Sequence, residues 1–149
     1  MKVLVDADAC PNMIKEILFR ASKRVSLEMI FFANHALMLP KTPYIKFRQV
    51  SKGFDVADGE IIKIVERGDL VITADIPLAD SVIDKHATAI NPRGMTYTKE
   101  NIKQKLGMRN FMEELRGMGK ITGGPAALSK SDLQEFANAL DKYLAANLK

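Results

Sequence analysis

The segment KVLVDADACPN, residues 2–12, predicts a buried strand that leads through a polar turn into a helix. Its apolar run is short, rich in valine and uninterrupted, which is typical of a strand covered on both faces of a sheet. Pro11 suits the first turn of a helix. Between the two elements lie Asp6 and Asp8, whose like charges repel unless a cation or a proton lies between them.

The same alternation of strand and helix continues along the chain. Further strands are predicted at 27–34, 44–50, 69–75 and 87–90, and helices at 11–25, 56–67 and 77–86. The segment 44–50 alternates apolar and polar residues, which places it nearer an edge of the sheet. The pattern predicts an α/β protein, a three-layer sandwich with a mainly parallel sheet of about five strands.

The last third of the chain is helical in pattern. Helices are predicted at 98–107, 108–119 and 129–149. Ser129 and Asp132 resemble a capping box at the start of the third. Met108, Met112 and Met118 recur at roughly helical spacing, which predicts packing in the core. We expect one domain over 1–149, with an α/β core at about 1–95 and a helical extension at about 96–149.

The composition favours a single soluble domain. The chain has 149 residues, 47% of them hydrophobic, and Cys10 is its one cysteine, so it can bury a core without a disulfide framework. The apolar run before Asp6 is too short for a signal peptide and no stretch approaches membrane-spanning length, so we expect a cytoplasmic protein without a membrane partner. A formal charge of +4 permits RNA or another nucleic acid as partner and leaves the oligomeric state open.

Five aspartates lie next to predicted strands or helices. In open parallel sheets, ligands bind at the carboxyl ends of the strands, and these aspartates lie at or near those ends. Asp6 and Asp8 follow the first strand, Asp75 ends the fourth, and Asp55 and Asp58 lie at the start of a helix. Carboxylate oxygens suit Mg²⁺ or Mn²⁺, which bridge to substrate phosphates. The pattern therefore predicts a metal site at Asp6, Asp8, Asp58 and Asp75 and a phosphodiester or phosphomonoester substrate.

Simpler interpretations exist for several of these residues. Asp55 and Asp75, taken singly, are more simply read as helix caps, whereas Asp6 has no such role and needs a partner at the end of a buried strand. Cys10 precedes a helix that would lower the pKa of its thiol, but no second cysteine accompanies it, and a structural role is favoured.

Candidate substrate-binding residues occur in three loops. Asn34 and His35 follow the second predicted strand, and Asn91 and Arg93 belong to NPRG, residues 91–94. Gly123 and Gly124 belong to TGGP, residues 122–125, whose amides would cradle a phosphate. For both motifs an ordinary turn is the alternative.

Several motifs together resemble the YaiI/YqxD family of small bacterial proteins. They are VDADACP (5–11), GFDVADGEI (53–61), DLVITADIPLA (69–79), NPRG and TGGP, and the resemblance runs over essentially the whole chain. It implies a single PIN-like nuclease domain that cuts RNA or DNA with Mg²⁺ or Mn²⁺ held by three or four acidic residues. DADACP, TGGP and the helical tail depart from ordinary PIN domains.

The resemblance also implies individual roles. Asp6, Asp58 and Asp75 would be the catalytic metal ligands. Asp8 and Asp55 would be auxiliary, and Thr73 would orient a ligand carboxylate.

Two other functions remain open. VLVDADA is similar to the opening motif of haloacid-dehalogenase-type phosphatases, in which the first aspartate, here Asp6, is a covalent nucleophile. No late aspartate pair follows a strand to complete that site. A non-catalytic RNA-binding or interaction module on the same scaffold is the second alternative.

Overall fold

The computed structural model describes residues 1–53, 56–119 and 127–148. Within these ranges one sheet contains β1 (Val3–Asp6), β2 (Met29–Ala33), β3 (Ile45–Gln49), β4 (Leu70–Ile72), β5 (Thr88–Ile90) and β6 (Thr96–Tyr97). The strand order is β3-β2-β1-β4-β5-β6; the first five are parallel, and β6 pairs antiparallel with β5. The predicted α/β class is confirmed, with one strand more than expected.

Helices cover both faces of this sheet. In the described part of the chain they are α1 (Asn12–Val25), α2 (Val56–Ile64), α3 (Ile76–Asp84), α4 (Lys99–Gly117) and α5 (Lys130–Asn147). Apolar residues of α1 and α5 pack on the face that carries Val3 and Val5. Those of α2, α3 and the first turn of α4 pack on the face that carries Leu4. Because successive side chains of a strand point to opposite faces, the result is three layers.

The central strand β1 carries the first acidic residue to the carboxyl edge of the sheet. All four residues of β1 are buried, as expected of a parallel strand between two others. Alternation places Asp6 on the same face as Leu4, towards α2 and α3. The parallel register pairs Val5 with Ile72, so the next residues, Asp6 and Thr73, lie side by side at the end of β1 and β4.

The prediction of two helices at 98–107 and 108–119 is wrong, because α4 runs through both. Gly107 lies inside this helix: a glycine there costs only about 1 kcal/mol, and nothing lies within 4 Å of the position that a Cβ would take. Met108 and Met118 are 58% and 68% exposed, so they do not pack in the core as predicted. Within α4, all of which is described, Ile102 is the one buried residue.

Other boundaries differ in smaller ways. The helix α2 ends at Ile64 rather than near residue 67, and β6 was not predicted because two residues carry no periodic pattern. The edge position of β3 is confirmed, and so is the capping box, in which Ser129 and Asp132 exchange backbone-to-side-chain hydrogen bonds of 2.9 and 3.1 Å. No helix in the described ranges has the length and hydropathy that a membrane crossing needs.

Candidate functional site

Four carboxylates from separate segments line one cavity of about 230 Å³ at the carboxyl edge of the sheet. Asp6 ends β1, Asp8 lies in the 3-10 turn that follows, Asp58 is in the first turn of α2, and Asp75 immediately precedes α3. The structure therefore brings together the four residues that the sequence predicted as metal ligands. We call this space the acidic cavity. Asp55 lies outside the described residues.

Asp6 is the most buried of the four, with 7% of its surface exposed. Its Oδ2 accepts a hydrogen bond of 3.0 Å from the hydroxyl of Thr73. Burial raises the pKa of Asp6; the Thr73 hydrogen bond opposes this shift, and the charges of Asp75 and Asp8 add to it. The ionised form of Asp6 is thus destabilised in the folded protein, and a cation bound in the cavity would stabilise it.

Thr73 connects Asp6 to Asp75. Its Oγ1 donates to Asp6 and accepts a hydrogen bond of 2.9 Å from the backbone N–H of Asp75. The Oδ1 atom of Asp75 accepts in turn from the backbone N–H of Leu78 at 2.8 Å and so caps α3. The capping interpretation of Asp75 is confirmed, and the same side chain lines the acidic cavity.

Asp8 joins the turn after β1 to the end of β2. Its Oδ2 accepts a hydrogen bond of 2.9 Å from the backbone N–H of Asn34, and its Oδ1 lies 3.0 Å from Nδ1 of His35. Asn34 lines the acidic cavity, and His35 stands at its rim. Both predicted substrate-binding residues of this loop therefore lie beside the carboxylates.

Asn91 and Arg93 lie elsewhere, on a neighbouring cavity of about 600 Å³ that we call the larger cavity. The Asn91 Oδ1 atom accepts hydrogen bonds of 2.9 and 3.0 Å from the backbone N–H groups of Arg93 and Met95, which fixes the turn between β5 and β6. The Arg93 guanidinium pairs with Asp132 of α5 at 2.7 Å. Gly123 and Gly124 lie outside the described residues.

Sequence reasoning missed part of the acidic cavity. Val50, Ser51 and Gly53, in the loop after β3, and Ala57 of α2 also line it. The loop after β3 belongs to the same carboxyl edge, so its position was a usable signal, but Val50, Ser51 and Gly53 carry no charged group to mark them. Tyr97, which lines the larger cavity, was missed because β6 was not predicted.

The carboxylates of the acidic cavity are suited to a divalent cation in type but supply few ligands at once. Carboxylate oxygens are the ligands that Mg²⁺ and Mn²⁺ prefer, and Mg²⁺ is usually bound by one or two carboxylates, waters and substrate phosphates. Across residues 1–53, 56–119 and 127–148, no three His, Cys, Asp or Glu side chains are arranged to hold a metal ion by themselves. The chemistry of the cavity therefore fits a cation that takes a minority of its ligands from protein.

Comparison with known proteins places the chain in a family. Residues 4–146 match the family described as "Uncharacterized BCR, YaiI/YqxD family". The chain belongs to this family. Its relatives include the UPF0178 proteins of Hahella chejuensis (59% identical over 149 residues, 100% of this chain and 99% of the relative), Shewanella pealeana (56% over 149, 100% and 99%) and Vibrio cholerae (58% over 145, 97% and 97%). No solved structure matches the chain.

The family resemblance read from the motifs is thus confirmed over nearly the full length of the chain. The PIN-like nuclease assignment stays a prediction, as do the roles that it implies for individual aspartates.

Proposed function

We propose that this member of the YaiI/YqxD family is a Mg²⁺- or Mn²⁺-dependent phosphodiester hydrolase that acts on RNA or another nucleic acid. One observation carries the proposal: Asp6, Asp8, Asp58 and Asp75 line a single small cavity at the edge where open parallel sheets bind ligands. Four carboxylates in one cavity, one of them buried, are stabilised by positive charge, and a divalent metal ion would supply that charge while it binds a substrate phosphate.

Each residue then has a defined task. Among the catalytic carboxylates Asp6, Asp58 and Asp75, one or two would bind the metal ion directly and the rest through its water ligands, with Asp8 beside them. A bound metal ion would lower the pKa of a water molecule and stabilise the charge that develops on the phosphate. Thr73 is a positioning residue, because its hydroxyl fixes the Asp6 carboxylate and holds the backbone of Asp75.

The rim of the acidic cavity is suited to contact the rest of the substrate. Asn34 and His35 are held there by Asp8, through a backbone hydrogen bond of 2.9 Å and a side-chain contact of 3.0 Å. They would contact the nucleic-acid backbone next to the cleaved bond. Such contacts position a strand without reading its sequence.

The test is calorimetric titration of Mn²⁺ into the wild-type protein and into the variants Asp6→Asn and Asp75→Asn, followed by cleavage assays on single-stranded RNA and DNA. Asparagine is a good helix N-cap, so Asp75→Asn keeps the start of α3. Asp84→Asn, at the exposed end of α3, removes the same charge away from the cavity and is the matched control. We expect both cavity variants to lose Mn²⁺ binding and to cleave about 100-fold more slowly or worse, with Asp84→Asn unchanged.

Other results would contradict the proposal. Cleavage that persists in a chelator, or at the wild-type rate in Asp75→Asn, would overturn it. Nucleic-acid binding without cleavage, unaffected by chelator, would favour the non-catalytic binding module. A phosphoaspartate trapped at Asp6 would favour the phosphatase.

A further inference from the structure

The larger cavity lies directly beside the acidic cavity. Its volume of about 600 Å³ is within the range of roughly 300–1,000 Å³ that is usual for small-molecule sites. Ala9 follows Asp8, and Ala74 and Ile76 flank Asp75; these three neighbours line the larger cavity, while the two aspartates line the acidic one. Consecutive residues of the same two segments therefore line the two cavities.

The inner wall of the larger cavity is mainly apolar. Ile76, Met95 and Leu128 line it and are only partly buried, so they can contact a ligand, whereas Tyr97 is only 4% exposed. The Asn91 side chain also lines the cavity. Apolar side chains with an amide beside them form the type of surface that binds a planar ring such as a nucleic-acid base.

Positive charge lies at the same cavity. Arg93 and Lys105 line it, one from the turn after β5 and the other from α4. The Arg93 guanidinium is shared with Asp132 at 2.7 Å. Lys105, by contrast, forms no salt bridge with any carboxylate in the described part of the chain, so its charge is available to an anion.

We propose that the larger cavity is a nucleotide subsite for single-stranded nucleic acid. The base of one nucleotide packs against Ile76, Met95 and Leu128, its phosphate is bound by Lys105 and Arg93, and the adjoining phosphodiester reaches the neighbouring acidic cavity. A paired base is not free to enter such a cavity, so the substrate strand is unpaired there. The last step rests on the proposed function, whereas binding of the base and its phosphate does not.

The test measures binding of adenosine 5′-monophosphate by calorimetry in the presence of a chelator, with ribose 5-phosphate as the probe that lacks the base. We expect the nucleotide to bind about tenfold tighter than ribose 5-phosphate, because only the nucleotide has a base to bury against the apolar lining. Lys105→Gln should weaken nucleotide binding about tenfold, since it removes a charged partner of the phosphate. Lys103→Gln is the matched control: Lys103 is exposed on the same helix and does not line the cavity.

The outcomes separate this inference from the proposed hydrolase. Equal binding of the two probes, or equal losses in Lys105→Gln and Lys103→Gln, would overturn the nucleotide subsite. Nucleotide binding by a wild-type protein that neither binds Mn²⁺ nor cleaves would overturn the hydrolase and support the subsite. Mn²⁺-dependent cleavage with an unchanged KM in Lys105→Gln would support the hydrolase and overturn the nucleotide subsite.

Discussion

The hydroxyl of Thr73 lies 3.0 Å from Oδ2 of Asp6, to which it donates, and 2.9 Å from the backbone nitrogen of Asp75, from which it accepts. One buried hydroxyl thus satisfies two polar groups that come from neighbouring strand ends. We expect Thr73→Val to lower the free energy of unfolding by about 1–3 kcal/mol, because it leaves both groups without that partner. Urea unfolding measures the loss.

Thr73→Ser is the control for this prediction, since it keeps the hydroxyl and removes a methyl group. It should be more stable than Thr73→Val. Equal stabilities would mean that the methyl group rather than the hydroxyl matters at this position.

The charged side chain of Asp6 should lower the stability of the folded protein at neutral pH. Burial raises its pKa in the folded state above the ordinary value of 3.8, so the folded protein favours the protonated form. The stability that this proton contributes is complete below the unfolded pKa and is lost as the pH rises through the folded pKa. Asp6→Asn should therefore raise the free energy of unfolding at neutral pH by about 1 kcal/mol, while it abolishes the proposed metal binding.

The measurement is the free energy of unfolding of the wild type and of Asp6→Asn, from acid to neutral pH. The difference should shrink as the pH falls, because the wild-type carboxyl becomes neutral as well. Asp84→Asn should not reproduce this pH dependence. A less stable Asp6→Asn protein at neutral pH would contradict the expectation.

Two glycines should respond in opposite ways to alanine. Gly94 has a φ of +92°, and a Cβ there would lie 2.5 Å from the backbone carbon of Glu135 in α5. Gly94→Ala should therefore cost about 2–4 kcal/mol, through backbone strain and displacement of α5. Gly107, inside α4, has no atom within 4 Å of the same position, and Gly107→Ala should stabilise by about 0.5–1 kcal/mol. Thermal unfolding of the two variants measures these changes, and shifts of Tm with the same sign would contradict the prediction.

Cys10 should be unreactive in the native protein. It is 4% exposed, and burial raises the pKa of its thiol to about 12, although it precedes a helix. Because the thiolate is the reactive form, iodoacetamide should label Cys10 slowly in buffer and rapidly in urea. Mass spectrometry follows the label, and fast labelling of the folded chain would rule out a purely structural thiol.

Local patterns in the sequence predicted those elements whose cause is local. The apolar run of β1, the capping box at Ser129 and the cap at Asp75 all follow from residues that are near in sequence. The continuity of α4 and the presence of β6 do not, because they depend on the groups that pack against them.

The candidate site, like the fold, could be predicted from the sequence only in part. The rule that ligands collect at the carboxyl ends of parallel strands predicted that Asp6, Asp8, Asp58 and Asp75 would meet, and they share a cavity. That rule gives positions along an edge and not the direction of side chains. For this reason it did not separate Asn91 and Arg93, which line the larger cavity, from the carboxylates.

The pairing of β1 with β4 has a consequence for synthesis of the protein. Asp6 is near the amino terminus, and its hydrogen-bond partner Thr73 follows 67 residues later. A nascent chain that has left the ribosome only as far as α2 carries Asp6, Asp8 and Asp58 but not the strand that completes their surroundings. The acidic cavity therefore cannot assemble until about half of the 149 residues have emerged. A prematurely terminated polypeptide of that length would carry the acidic motif without the site.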